Sequence, residues 1–153
     1  MTRKTVFALA LMIAFGAQAA AAQPPAQTPS LVRVRYIVND VPAAVDFYTT
    51  KLGFKLQGQA GNNFAALSRG GLQLLLSPTK GTGSASQPMP NGERPAAGGW
   101  TRIIIDTNDL AGDVDRLKKQ GVRFRNEITS GAGGKEVLVE DPSGNPVELF
   151  QAG

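Results

Sequence analysis

The chain has 153 residues, with 16 Lys and Arg against 12 Asp and Glu, a formal net charge of +4, and neither Cys nor His. Without Cys there is no disulfide and no lipid-modified cysteine, and without His or Cys there is no Ser-His or Cys-His catalytic pair. The net charge is too small to predict binding to nucleic acid or to a membrane surface. The length is sufficient for one domain with a hydrophobic core.

Residues 1–22 have the features of a secretory signal peptide. Two basic residues precede an apolar run from Val6 to Phe15, and Ala20-Ala21-Ala22 fits the small-residue cleavage pattern, which predicts cleavage after Ala22. The apolar run is about half of the ~20 residues that a spanning helix needs, so we expect no stable membrane anchor. Residues 23–30 have the composition of a disordered leader. We therefore expect a secreted or periplasmic protein.

Periodicity predicts a first βαβββ module over residues 31–77. Residues 31–38 alternate as a strand, Asp40 is suited to cap the following helix, and Gly53 is suited to end it. Three more strands are predicted at 54–57, 64–68 and 72–77. The next segment, residues 78–99, is rich in Gly, Ser and Pro and fits either a disordered connector or a functional loop.

Residues 100–151 repeat the pattern of the first module. Asn108-Asp109-Leu110 matches Asn39-Asp40-Val41 at an offset of 69 residues, and the second helix is predicted to end at Gly121. Strands are predicted at 100–105, 122–124, 135–140 and 146–150. The same offset carries Arg33 onto Arg102, so we expect a pseudo-two-fold axis to relate them. The predicted fold class is α+β, with two βαβββ modules in one domain over residues 31–151.

Two stretches of the chain resemble the vicinal oxygen chelate superfamily, which includes glyoxalase I, bleomycin-resistance proteins and extradiol dioxygenases. Residues 33–41 (Arg-x-Arg-Tyr-Ile-Val-x-Asp-Val), with Phe47-Tyr48 and residues 52–54, resemble its opening. Residues 140–149 (Glu-Asp-Pro-Ser-Gly-Asn-Pro-Val-Glu-Leu) resemble its closing motif. The resemblance implies paired modules that curl into a cup, which holds a divalent metal in the enzymes, and it implies a homodimer.

The resemblance also locates the positions that carry metal ligands, usually His or Glu, in those enzymes. They fall on Arg33, Gln73, Arg102 and Glu148, so only Glu148 keeps a ligand type. A guanidinium stays protonated and offers no lone pair to a cation. We therefore predict a cup without metal or other cofactor, which argues against the metal-dependent activities of the superfamily.

Strand alternation independently predicts which side chains share a face with Glu148. They are Arg33, Arg35, Ile37, Gln73, Leu75, Arg102, Ile104 and Phe150. The leading hypothesis is a binding protein for a small anion, in which Arg33 and Arg102 clamp the anionic group and Gln73 orients it. Two alternatives stay open: a lyase or isomerase that uses Glu148 as general base, and a structural or partner-binding domain in which Glu148 only pairs with arginine.

Three other features receive simpler interpretations. The glycine-rich residues 131–134 precede a strand, so they predict a hairpin turn and not a phosphate-binding loop. The basic side chains between residues 116 and 125 are expected to be solvated. For Trp100, packing in the core or between modules is favoured over a position at the mouth of the cup.

Overall fold

The computed structural model describes residues 32–153, so the predicted signal peptide and leader lie outside the described residues. The elements are β1 (Val32–Val38), α1 (Val41–Asp46), β2 (Lys55–Ala60), β3 (Phe64–Arg69), β4 (Leu72–Pro78), β5 (Ile103–Asp106), α2 (Leu110–Lys119), β6 (Arg123–Phe124), β7 (Thr129–Gly131), β8 (Gly134–Glu140) and β9 (Pro146–Ala152). This order confirms the α+β prediction and the repeated βαβββ pattern. Within the described residues, no helix is both long enough and apolar enough to cross a membrane.

The strands form two sheets, one from each module. The first has the order β1-β4-β3-β2, and the second has the order β5-β9-β8-β6, with β7 pairing to β8. β1 and β4 are parallel, as are β5 and β9, and the other pairs are antiparallel. The predicted glycine-rich hairpin is confirmed, because Gly131 pairs with Gly134 between β7 and β8. β7 itself was not predicted.

Both helices begin at the predicted caps. Oδ1 of Asp40 accepts a hydrogen bond from the Ala43 amide at 2.9 Å, and Oδ1 of Asp109 accepts one from the Gly112 amide at 3.0 Å. Each carboxylate satisfies an amide that the first helical turn leaves without a partner. The two helices therefore start 69 residues apart, as the repeat predicted.

The first helix differs from the prediction because α1 continues as a π-helical turn, Phe47–Lys51. The hydroxyls of Thr49 and Thr50 donate to the carbonyls of Val45 and Asp46, each at 2.7 Å. Such bonds from Thr back to the preceding turn distort regular α-helix.

One hydrophobic core joins the two modules. The sheets contribute alternate residues to it, among them Tyr36, Val38, Leu74, Leu76, Ile103, Ile105, Val147 and Leu149, and the helices add Val41, Val114 and Leu117. Alternate residues of the central strands therefore face this core. Because the sheets share a core through these faces, their opposite faces, which carry Arg33 and Glu148, are directed away from it.

Candidate functional site

The centre of the second sheet carries a buried ion pair. Nε of Arg102 donates a 2.5 Å hydrogen bond to Oε2 of Glu148. The Glu148 side chain is 5% exposed and that of Arg102 is 33% exposed. On β9, Glu148 stands between Ile104 of β5 and Leu138 of β8 in the strand register. A carboxylate in this apolar strand environment needs a partner, and Arg102 supplies it.

Arg33 and Gln73 lie on the other sheet. They are partners in the parallel register of β1 and β4, where Arg33 is exposed and Gln73 is half-buried. Within residues 32–153, no hydrogen bond or ion pair links either of them to Arg102 or Glu148. The expected clamp of Arg33 and Arg102 therefore stays a prediction, with one arginine on the first sheet and the other beside the second.

The last two predicted site residues, Arg35 and Phe150, lie on different sheets. Nη1 of Arg35 donates a 2.5 Å hydrogen bond to Oγ of the buried Ser77, so Arg35 ties β1 to β4. Phe150 is half-buried on β9, in register with Asp106 and Glu136 and on the same face as Glu148. Phe150 therefore belongs to the second half of the predicted cup.

Arg125 forms hydrogen bonds to three separate parts of the chain. The prediction that the basic side chains of this region are solvated is therefore wrong for Arg125. It donates hydrogen bonds to Oε1 of Glu140 at 2.8 Å and to the carbonyls of Gly99 and Gly144 at 2.8 and 2.9 Å. Its side chain is 19% exposed. Arg123 lies 3.4 Å from the other oxygen of Glu140, so one carboxylate holds two guanidinium groups.

Trp100 is 74% exposed, so the prediction that it packs in the core or between modules is wrong within the chain. Gly98 and Gly99 precede it with φ angles of +94° and +89°, a backbone conformation that other residues seldom adopt. The Arg125 guanidinium lies over the indole, 5.2 Å from the ring centroid. The Gly98-Gly99 pair was the available sequence signal for an unusual backbone conformation at this point.

Asp141 in the closing loop was not recognised from the sequence. It is fully buried, and its two oxygens accept four hydrogen bonds, from the Tyr48 hydroxyl, the Ser143 amide, and the backbone and side-chain amides of Asn145. Burial, together with the nearby Asp141 charge, raises the pKa of Tyr48 well above its ordinary value. Asp141 therefore organises the loop and holds the first helix, without access to a ligand.

Two more side chains connect the modules beside this loop. Asn145 donates to the Ile37 carbonyl at 2.9 Å and accepts from the Gly98 amide at 2.7 Å. The Tyr36 hydroxyl donates to the Pro146 carbonyl at 3.0 Å and accepts from the Ile103 amide at 2.9 Å. Burial raises the pKa of Tyr36 to about 12. The residues of the closing motif around Glu148 thus join β1, β5 and the 78–99 segment.

The four positions that carry metal ligands in the enzymes of the superfamily do not suit a divalent cation here. Arg33 and Arg102 have no lone pair to donate, and one oxygen of Glu148 already accepts from Arg102. Within residues 32–153, no group of three or more His, Cys, Asp and Glu side chains is placed to hold a metal ion. These side chains therefore provide no set of donors for a divalent cation.

Comparison with known proteins identifies the family. The family model for the glyoxalase/bleomycin resistance protein/dioxygenase superfamily matches residues 30–149. The chain belongs to this superfamily. The match confirms the resemblance seen in the opening and closing motifs.

Relatives of this superfamily member include an uncharacterized protein from Shewanella frigidimarina. The two are 29% identical over 133 residues, covering 80% of this chain and 93% of the relative. Lactoylglutathione lyase from Agrobacterium tumefaciens superposes with a TM-score of 0.63 at 20% identity, over 82% of this chain and 95% of the other. TnmS3, an antibiotic binding protein from Streptomyces sp. CB03234, gives 0.62 at 23% identity, over 82% and 98%. At these identities the two structures show a common fold alone.

Proposed function

We propose that this member of the superfamily is an exported protein that binds a small anionic molecule in a cup that needs no metal. The observation that carries the proposal is the arrangement of Arg102. Its Nε is fixed by Glu148, whereas its two Nη groups make no hydrogen bond within residues 32–153. A guanidinium held in this way presents a fork of donors that suits a carboxylate or phosphate group.

A second copy of the chain completes the cup in this proposal. The Arg33–Gln73 pair lies on the first sheet and the Arg102–Glu148 pair lies at the second, so in this proposal each chain contributes two half-sites. Ile104, next to Glu148 in the register, is 60% exposed, which suits a surface that a partner covers. In a two-fold dimer, the first-module face of each copy meets the second-module face of the other. The homodimer that the family resemblance implies would therefore form two complete cups.

We favour binding over catalysis because Oε2 of Glu148 accepts a charge-assisted hydrogen bond from Arg102, which leaves only Oε1 to act as a general base. The likeness to an antibiotic binding protein supports the same choice, whereas the likeness to a lactoylglutathione lyase supports the enzyme alternative. A Glu148→Gln variant separates them, since binding should persist in a binding protein and turnover should disappear in an enzyme.

The test is a thermal-shift and calorimetric titration with acetate, benzoate and inorganic phosphate. At least one anion should raise the melting temperature, and Arg102→Lys and Arg33→Ala should each remove the rise. Arg116→Ala is the matched control, because Arg116 is a half-exposed surface arginine paired with Asp113. Absence of a response to every anion, in a protein that light scattering shows to be dimeric, would overturn the proposal. Export is tested separately by sequencing the amino terminus of the periplasmic protein, which should begin after Ala22.

A further inference from the structure

An exposed tryptophan, two positions before Arg102 in the chain, lines a groove on the surface. Trp100 is the only tryptophan of the chain, and it forms one wall of a groove of about 680 Å³ that Arg123, Arg125 and Glu140 also line. Large aromatic side chains usually lose most of their exposed surface on folding. At 74% exposure, Trp100 leaves most of its indole available to another molecule.

The backbone on both sides of Trp100 is fixed. Before it, the Gly98 amide donates to Asn145 at 2.7 Å and the Gly99 carbonyl accepts from Arg125 at 2.8 Å. After it, the Ile103 amide donates to the Tyr36 hydroxyl at 2.9 Å. The exposure of the indole is therefore built into the fold, and binding to it would cost little ordering of the chain.

One face of the indole is already occupied by a cation. The Arg125 guanidinium lies 5.2 Å from the ring centroid, and hydrogen bonds to Glu140 and to two carbonyls hold it there. A cation draws the π electrons of the ring toward itself. The opposite face becomes less negative and so favours an electron-rich ring stacked on it.

We propose that Trp100 and Arg125 form a stacking platform for a planar, electron-rich aromatic ring. This inference rests on the proposed function, because it adds a ring to the anionic group that Arg102 binds and thereby names the ligand class as an aromatic acid. The acid group lies toward Arg102 and the ring lies on Trp100, two residues away along the chain. Glu140 contributes as a positioning residue, since it fixes Arg125 without contacting the ring.

The test compares benzoate with cyclohexanecarboxylate, which has the same charge and a similar size but no aromatic ring. Calorimetry should show benzoate binding roughly two- to tenfold more tightly, the range that one stacked aromatic pair supplies. Benzoate should also change the fluorescence of the single tryptophan. Trp100→Leu should abolish the preference and leave carboxylate binding intact, whereas Trp100→Phe should retain part of it. Met89→Leu, which changes another exposed apolar side chain, should have no effect.

The remaining outcomes separate the platform from the anion cup. Equal affinity of the wild-type protein for both carboxylates, with binding still lost in Arg102→Lys, overturns the platform and leaves the proposed function standing. A tryptophan that acrylamide cannot quench in the dimer, and that becomes accessible on dilution, means that a second copy covers Trp100, which also overturns the platform. Failure of both carboxylates to bind counts against the cup and the platform together.

Discussion

The hydroxyl of Tyr48 donates a 3.1 Å hydrogen bond to Oδ2 of Asp141, joining the π-helical turn of the first module to the closing loop of the second. Both side chains are completely buried. The bond spans 93 positions of sequence, so it forms only when the two modules are packed together. It therefore reports on the joining of the modules and not on either module alone.

Removing the Tyr48 hydroxyl should destabilise the protein less than removing the Asp141 carboxylate. Tyr48→Phe loses one buried hydrogen bond and should lower the free energy of unfolding by about 1–2 kcal/mol. Asp141→Ala leaves several donors without acceptors and should cost at least ~3 kcal/mol. Urea denaturation of the two variants and of their double mutant measures the coupling. Strictly additive losses would contradict a direct interaction.

Breaking the Arg102–Glu148 pair should lower the free energy of unfolding more than replacing both residues by apolar ones. Arg102→Ala leaves a buried carboxylate without its cation and should lower the free energy of unfolding by ~3 kcal/mol, near the low end for buried pairs because Arg102 is one-third exposed. Replacing both residues by apolar ones, Arg102→Met with Glu148→Leu, should cost less than the single change. Denaturation curves of the three proteins decide this, and a double variant less stable than Arg102→Ala would contradict it.

The two tyrosines should stay protonated in strongly alkaline solution. Burial raises the pKa of Tyr36 from 10.0 to about 12 and that of Tyr48 well above 10.0. In the unfolded chain both ionise near pH 10, so the free energy of unfolding should fall as the pH rises from about 10 to about 12. Ultraviolet absorbance in a pH titration detects tyrosinate directly, and these are the only tyrosines of the chain. In guanidinium chloride the unfolded protein should show tyrosinate near pH 10. If the folded protein also shows tyrosinate at pH 10, the prediction is refuted.

Gly134→Ala should be poorly tolerated, in contrast to Gly131→Ala. Gly134 has φ +146°, and a Cβ atom there would lie 3.0 Å from Cα of Ala152 and closer still to the Gln151 carbonyl oxygen. Gly131, at the other end of the same hairpin, has open space around it and no positive φ. We expect a loss of ~2 kcal/mol or more for Gly134→Ala and less than ~1 kcal/mol for Gly131→Ala. Thermal denaturation of both variants measures the difference.

The sequence predicted local structure well because local structure depends on neighbours in the chain. Alternation located every strand except β7, and Asp40 and Asp109 marked both helix starts. The π-helical turn was missed because it depends on Thr49 and Thr50 bonding back to the helix. Periodicity of apolar residues carries no trace of such bonds.

The candidate site was only half predictable. Alternation of period two shows which side chains share a face of one sheet, and the pairing of Glu148 with Arg102 follows from it. It does not show which faces of two sheets meet, so the expected contact between Arg33 and Arg102 could not be tested before the sheets were placed. The partners of Asp141 and Asn145 are equally invisible, because those on β1 and the first helix lie 93 to 108 positions away.

The joints formed by Tyr36, Tyr48, Asp141 and Asn145 are separate from the outward faces that carry Arg33, Gln73, Arg102 and Phe150. Substitutions at Arg33, Gln73 and Phe150 should therefore leave the architecture intact, whereas Arg102 also pairs with the buried Glu148. Residues 141–146, the part of the closing motif that precedes Glu148, therefore specify how the two modules are assembled and do not by themselves identify a ligand.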